Sequence, residues 1–228
     1  RLSGRTHTVL TGLCVLDAAR RLERTAVERT RVHFRPLTAR EIERYRRRST
    51  AMPSTRTEFP GSQGTTLAAR LDTPDAAPRA WAVFAHCFTC SMDTRAASYI
   101  ARALATAGFG VLRFDFTGLG GSGGDFANTH FSSNVDDLVA AADWLRARHG
   151  APALLVGHSL GGAAVLAAAH RVADARAVVT LGAPFDPVHV TRQFGGGLEV
   201  IAEQGQATVT LAGRPFTIKR AFLEDLGG

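Results

Sequence analysis

The sequence predicts an α/β fold, a mostly parallel sheet with helices on both faces, preceded by an incomplete N-terminal α+β fragment. Three observations carry that prediction. From residue 57, short apolar runs suited to buried strands alternate with helical patterns across short connections, as in a parallel sheet covered on both faces. Near RYRRRSTAMPSTR, residues 44–56, an arginine cluster gives way to a Pro/Ser/Thr stretch of linker character. Finally, VGHSLGG, residues 156–162, sets a serine between a strand-like run and a helix of small residues.

In the N-terminal piece, THTVLTGLCVLD and AVERTRVHF read as strands, while LTAREIERY carries a capping box with Thr38 at the N-cap and Glu41 three residues on. Two strands and one short helix bury too little apolar surface to stand alone. Beyond the linker, strands are expected at 65–72, 80–86, 110–116, 151–157 and 175–183, with helices between them. Asn134 is a natural N-cap for a helix whose Val135, Leu138, Val139, Ala142 and Leu145 share one face. An earlier helix places Ala97, Ile100, Ala101 and Leu104 together and stops at Gly108. After residue 184 the pattern changes to a short helix at PVHVTRQF, a hairpin through ATVTLAGRPFTIK and a helix start at RAFLEDL. The expected organisation is a basic fragment over 1–50, an α/β core over 51–184 and a cap over 185–228.

The net charge of +7 belongs to one end: residues 1–51 hold 13 arginines against five acids, and the remainder is nearly neutral. No aromatic residues interleave with those arginines, so a nucleic-acid platform is not expected. The apolar runs are too short to cross a bilayer, and the start lacks the apolar stretch of a signal peptide. Three cysteines, Cys14, Cys87 and Cys90, give an odd count that fits a reducing compartment, so the cytoplasm is the expected location.

Gly157-His158-Ser159-Leu160-Gly161 is a G-x-S-x-G in strand–turn–helix context. A turn this tight forces its central residue into a strained backbone region, so flanking glycines relieve clashes and the hydroxyl stands above the sheet. The following helix start adds N–H groups and positive potential where an oxyanion would develop. Ser159 is therefore the expected nucleophile, against the plainer reading of a glycine turn with a solvated serine.

Two other motifs compete. Cys87-x-x-Cys90 admits a zinc, a thiol-redox or an inert-thiol reading; no second ligand pair has suitable spacing for zinc. Gly118-x-Gly120-x-x-Gly123 satisfies a dinucleotide-binding pattern, but GDFANTHFSSN intervenes where a helix should open directly. No cofactor and no metal are expected.

HCFTCSMD, RFDFTGLGGSGGDF and GHSLGGAAVLAAAH, in that order, make residues 57–228 resemble the α/β-hydrolase superfamily. The resemblance implies acyl transfer from a small-molecule ester, amide or peptide, with the Phe88 and Leu160 N–H groups as oxyanion hole. It also implies that Arg113, Asp115, Gly118, Gly120 and Ser122 form a structural turn beneath the site. In that family the triad runs Ser, then Asp or Glu, then His along the chain. His189, preceded by Asp186, meets the order only formally, because both fall in the first turn of a short helix. The acid and histidine are therefore expected beyond Gly228, with the chain truncated within or just after its cap and weak or inactive as it stands. An inert module is the rival reading. The cap segments TLGAPFDPVHV and LAGRPFTIKRAFLEDL are similar to bacterial proteins in which an α/β-hydrolase precedes an OsmC-like domain, which implies such a domain in a longer chain. LSGRTHTVLTG and TRVHFRPLTAREIERY resemble an internal segment of the Maf nucleotide pyrophosphatase family, over residues 1–46.

Overall fold

The computed structural model describes residues 6–17, 22–33, 36, 38–40 and 53–227. An N-terminal hairpin comes first, β1 (Thr6–Asp17) and β2 (Leu22–His33). There follow β3 (Ser54–Pro60), β4 (Thr66–Asp72), β5 (Ala80–Ala85), α1 (Arg95–Thr106), β6 (Phe109–Phe114) and α2 (Phe131–Arg148). The core closes with β7 (Pro152–His158), α3 (Leu160–Ala168) and β8 (Ala177–Leu181). After a 3-10 turn at Pro187–Gln193 come α4 (Gly197–Gln204), β9 (Gln206–Leu211), β10 (Arg214–Lys219) and α5 (Arg220–Leu226).

One eight-stranded sheet runs in the order β2-β1-β8-β7-β5-β6-β4-β3. Its centre, β6-β5-β7-β8, is parallel, and the outer strands pair antiparallel. β5 shows why the centre is buried on both faces: the last four residues of AWAVFA are all buried, a continuous apolar run instead of an alternation. On one face α2 and α3 enclose Leu138, Leu145, Ala164 and Val165 with Phe59, Leu112, Phe114 and Leu155 of the strands. On the other, α1 brings Ala97 and Ala101 onto Phe84, Val111 and Val156. Small residues on α1 let it lie close to the sheet, and Gly108, at φ 88°, turns the chain into β6.

The parallel alignment brings the carboxyl ends of β5, β6, β7 and β8 to one edge, where α/β sheets form their crevices. A separate hairpin, β9–β10, caps that edge with α4 and α5. Its turn has Ala212 and Gly213 both at positive φ, 50° and 78°, which suits the right-handed twist of a two-residue hairpin.

Three local expectations differ from what the fold contains. Asn134 is buried inside α2, which begins three residues earlier; His130 caps it, accepting from the Ser133 N–H while the Ser133 hydroxyl accepts from the His130 N–H. A histidine cap of this kind falls outside the usual Ser/Thr/Asp/Asn signature. The stretch read as linker up to residue 56 already contains the start of β3, whose exposed edge position tolerates a polar STRT sequence. Helix α4 was not expected, because GLEVIAEQ follows two glycines, opens on a third and has only two turns. The helix expected over LTAREIERY lies largely outside the described residues.

Candidate active site

β7 delivers the chain to Ser159 in an abrupt corner. Ser159 has φ 54° and ψ −125°, its N–H donates to the Leu181 carbonyl at 2.9 Å, and its own carbonyl accepts from Gly162 at 2.8 Å. Few residues other than glycine occupy this backbone region, and doing so costs about 1–3 kcal/mol. The neighbouring glycines are explained by close approach. A Cβ on Gly157 would lie 2.2 Å from the Gly161 carbonyl oxygen, and one on Gly161 would lie 2.2 Å from that of His86. The elbow is thus wedged between β7 and the loop after β5, and α3 starts with Leu160 immediately behind the serine.

The loop after β5 reads His86-Cys87-Phe88-Thr89-Cys90. His86 is 1% exposed. Its Nδ1 lies 2.7 Å from the Cys87 carbonyl, to which it donates, and this fixes the ring with Nε2 facing Asp115 Oδ1 at 3.6 Å. Burial holds the ring's pKa below its ordinary value; the Cys87 carbonyl and the Asp115 charge oppose that shift without reversing it. His86 is therefore a neutral structural ring. Phe88 and Leu160 line one small cavity together with His86, Phe116 and Asn134. Among the described residues, neither the Phe88 nor the Leu160 N–H has a backbone acceptor outside regular structure.

Beneath the loop, the glycine-rich turn is tied by side chains. Asp115 accepts from the N–H groups of Met92 at 2.6 Å and Gly121 at 2.8 Å. The Ser122 hydroxyl bridges the Asp115 carbonyl and the Ala68 N–H. Arg113, 4% exposed, pairs with Asp72 at 2.6 Å and donates to the Met92 carbonyl. Asp137 accepts four bonds, from the N–H and hydroxyl of both Ser62 and Thr117.

The cap encloses the loop with aromatic rings. Phe88 has its ring centroid 5.6 Å from Phe126, 6.3 Å from Phe194 and 5.4 Å from Phe222, in a cluster that also buries Leu160, Ala163 and Val190. Arg214 of β10 donates to the Thr89 carbonyl. Asp225 of α5 accepts from the Ser132 N–H at 2.7 Å, fastening the cap to α2.

The sequence-predicted residues are distributed unevenly. Ser159, Leu160 and Phe88 converge at the carboxyl edge. Asp186 caps the 3-10 turn by accepting from the Val188 N–H at 2.9 Å, and His189 donates its N–H to the Asp186 carbonyl at 3.0 Å; both are exposed. Neither reaches Ser159 through a hydrogen bond among the described residues. Cys87 and Cys90, whose spacing left zinc, thiol-redox and inert-thiol readings open, are joined in a disulfide. Sequence reasoning also passed over Arg214, Asp137 and the partners of Phe88. Asp137 had the one available signal, a carboxylate within the mainly apolar helical pattern of α2. Among the described residues, no group of three or more potential ligands could hold a metal, and no helix is long and apolar enough to cross a membrane.

The doubly covered sheet, the strand–serine–helix corner and the loop facing it define an α/β hydrolase. The model for the serine aminopeptidase S33 family matches residues 76–210, and the chain belongs to that family. An esterase domain of a Rhodothermus marinus protein is 49% identical, with a TM-score of 0.58 over 77% of this chain and 68% of that one. The α/β hydrolase domain-containing protein 10 of mouse shares the fold at 20% identity, TM-score 0.56, over 76% of this chain and 69% of that one. The N-terminus has a different kinship: the Maf-like model matches residues 1–55. There, 45 residues are 49% identical to the dTTP/UTP pyrophosphatase of Pelotomaculum thermopropionicum, which covers 20% of this chain. The chain spans about a quarter of that curated relative's length, 24%.

Proposed function

We propose that the protein hydrolyses carboxylic esters through an acyl intermediate on Ser159. The observation that carries this reading is the backbone of Ser159, kept at φ 54° although a glycine there would be unstrained. A strained corner persists where its surroundings enforce it, and such corners cluster at sites of chemistry. In the proposed reaction, Ser159 Oγ attacks the ester carbonyl, the Phe88 and Leu160 N–H groups donate to the oxyanion, the ester C–O bond breaks and the alcohol leaves with the serine's proton, and water releases the acid and restores the hydroxyl. The 49% identical relative described as an esterase domain supports an ester over an amide or peptide.

Asp186 and His189 are the acid and base that chain order offers after Ser159. The Asp186 carboxylate caps its own exposed turn and no hydrogen bond joins His189 to Ser159 among the described residues, so turnover by this chain is expected to be slow, since a serine without a positioned base is a weak nucleophile. A fluorophosphonate probe tests the reading. Labelling that disappears in Ser159→Ala supports it; absence of labelling in the folded wild type favours an inert module.

A further inference from the structure

The disulfide between Cys87 and Cys90 closes a four-residue ring around Phe88 and Thr89, in the loop that faces the nucleophile corner. We propose that this pair is a redox-active site, opened by thiol or dithiol reductants, which sets the conformation of the loop that carries the Phe88 N–H. Its effect on turnover rests on the hydrolase reading above; its effect on the loop does not.

The ring holds an unfavourable backbone. Thr89 has φ 60°, in the left-handed region that a β-branched residue avoids, yet it is 5% exposed and cannot relax into solvent. Three ties keep it there: the disulfide, the Cys90 N–H donating to the Cys87 carbonyl at 3.1 Å, and Arg214 donating to the Thr89 carbonyl. Of these, only the disulfide can be undone by chemistry without unfolding the cap. The Phe88 ring is pinned among Phe126, Phe194 and Phe222. When the sulfurs separate, Thr89 loses its one covalent tie, and the two hydrogen bonds that remain can rearrange as it moves to negative φ. The peptide units beside it then turn about the fixed ring, carrying the Phe88 N–H away from Leu160.

The pair is chemically reachable. Both cysteines are partly exposed, although His86 before them and Thr89 between them are buried. Arg214 places a fixed positive charge at the residue adjoining Cys90, which favours a departing thiolate. In the exchange, an external thiolate attacks one sulfur, forming a mixed disulfide and expelling the other as a thiolate; a second external thiol resolves it. The balance is one protein disulfide and two reductant thiols giving two cysteine thiols and one reductant disulfide, a two-electron, two-proton transfer. A disulfide oxidant such as glutathione disulfide reverses it.

The test compares the full chain after glutathione disulfide with the same chain after dithiothreitol, by alkylation mass, deuterium uptake of the peptide spanning 86–92, and turnover of a p-nitrophenyl ester. We expect two alkylatable thiols to appear and disappear reversibly, and uptake at 86–92 to quicken about fivefold or more on reduction. We expect turnover to fall about tenfold or more, with KM little changed, as when an oxyanion donor is lost. Cys87→Ser/Cys90→Ser should match the reduced protein under both treatments. Failure of the thiols to interconvert, or identical uptake at 86–92 in both states, overturns the proposal. Turnover or probe labelling absent in both states, with uptake still responding, overturns the hydrolase reading and leaves the redox site standing.

Discussion

A side chain on Gly161 would place its Cβ 2.2 Å from the His86 carbonyl oxygen, so α3 packs backbone to backbone on the loop after β5. The Ala85 carbonyl oxygen would lie 2.6 Å from the same Cβ. Neither is a flexible side-chain end that could swing away. Gly161→Ala should therefore destabilise the fold by about 1–3 kcal/mol and misalign corner and loop together. Denaturant midpoints give the first quantity; probe labelling, corrected for folded fraction, gives the second. An alanine variant as stable and as reactive as wild type would refute this contact.

Ser159 offers a separable test of strain and chemistry. Ser159→Gly should be more stable than Ser159→Ala by about 1 kcal/mol, because only glycine occupies this φ at no cost. Both variants should lose all probe labelling. Equal stability of the two would mean that the corner is not strained.

Asp137 is 1% exposed and receives four donors from Ser62 and Thr117. Asp137→Ala leaves the two Thr117 donors buried and unpaired while the exposed Ser62 turns to water, at an expected cost of about 2 kcal/mol or more. Asp137→Asn retains one acceptor oxygen and should lose less. Thermal unfolding of the two variants measures the order, and a milder alanine variant would contradict it.

His86 gives the fold a pH dependence of defined sign. Its folded pKa is lowered, first by burial and also by the nearby His158, while the Cys87 carbonyl and Asp115 pull it upward. The unfolded chain thus takes up a proton that the fold resists, so the stabilisation is complete above the unfolded value of 6.5 and is lost as pH falls below it. His158 and His149, also lowered by burial, add to the same slope. Chemical denaturation at pH 7.5 and 5.5, choices about one unit either side of the ordinary histidine value, should show weaker stability in acid. His86→Gln should flatten that difference, and an unchanged slope would exclude His86 as its source.

Much of the core was legible because burial on both faces leaves a plain mark. WAVFA, GVL and ALLV are short apolar runs separated by turn signals, as suits strands at the centre of a covered sheet, and each lies in one. The Ser159 corner was legible because steric crowding restricts Gly157 and Gly161 to a single residue type. What escaped was set by contacts distant in sequence. Thr89 carries no local signature of its positive φ, because Arg214, 125 residues on, helps hold it there. The start of α2 was misplaced for a local reason: His130 can cap a helix only in the tautomer and rotamer that this fold selects. The Cys87–Cys90 spacing allowed several chemistries, and only the tight turn between them distinguishes a bonded pair from two thiols.

The outer strand pair has its own consequence. β8 would expose a row of unpaired amides and carbonyls along its free side, a template for another chain to add to. β1 lies antiparallel against it, with Val15 opposite Val179, and β2 continues the ladder outward. A segment kin to a different enzyme family thus serves as an edge guard for the hydrolase sheet. Inherited sequence and cooperative structure are divided along different lines in this molecule, and trimming the Maf-like piece would unmask an adhesive margin on the part that remains.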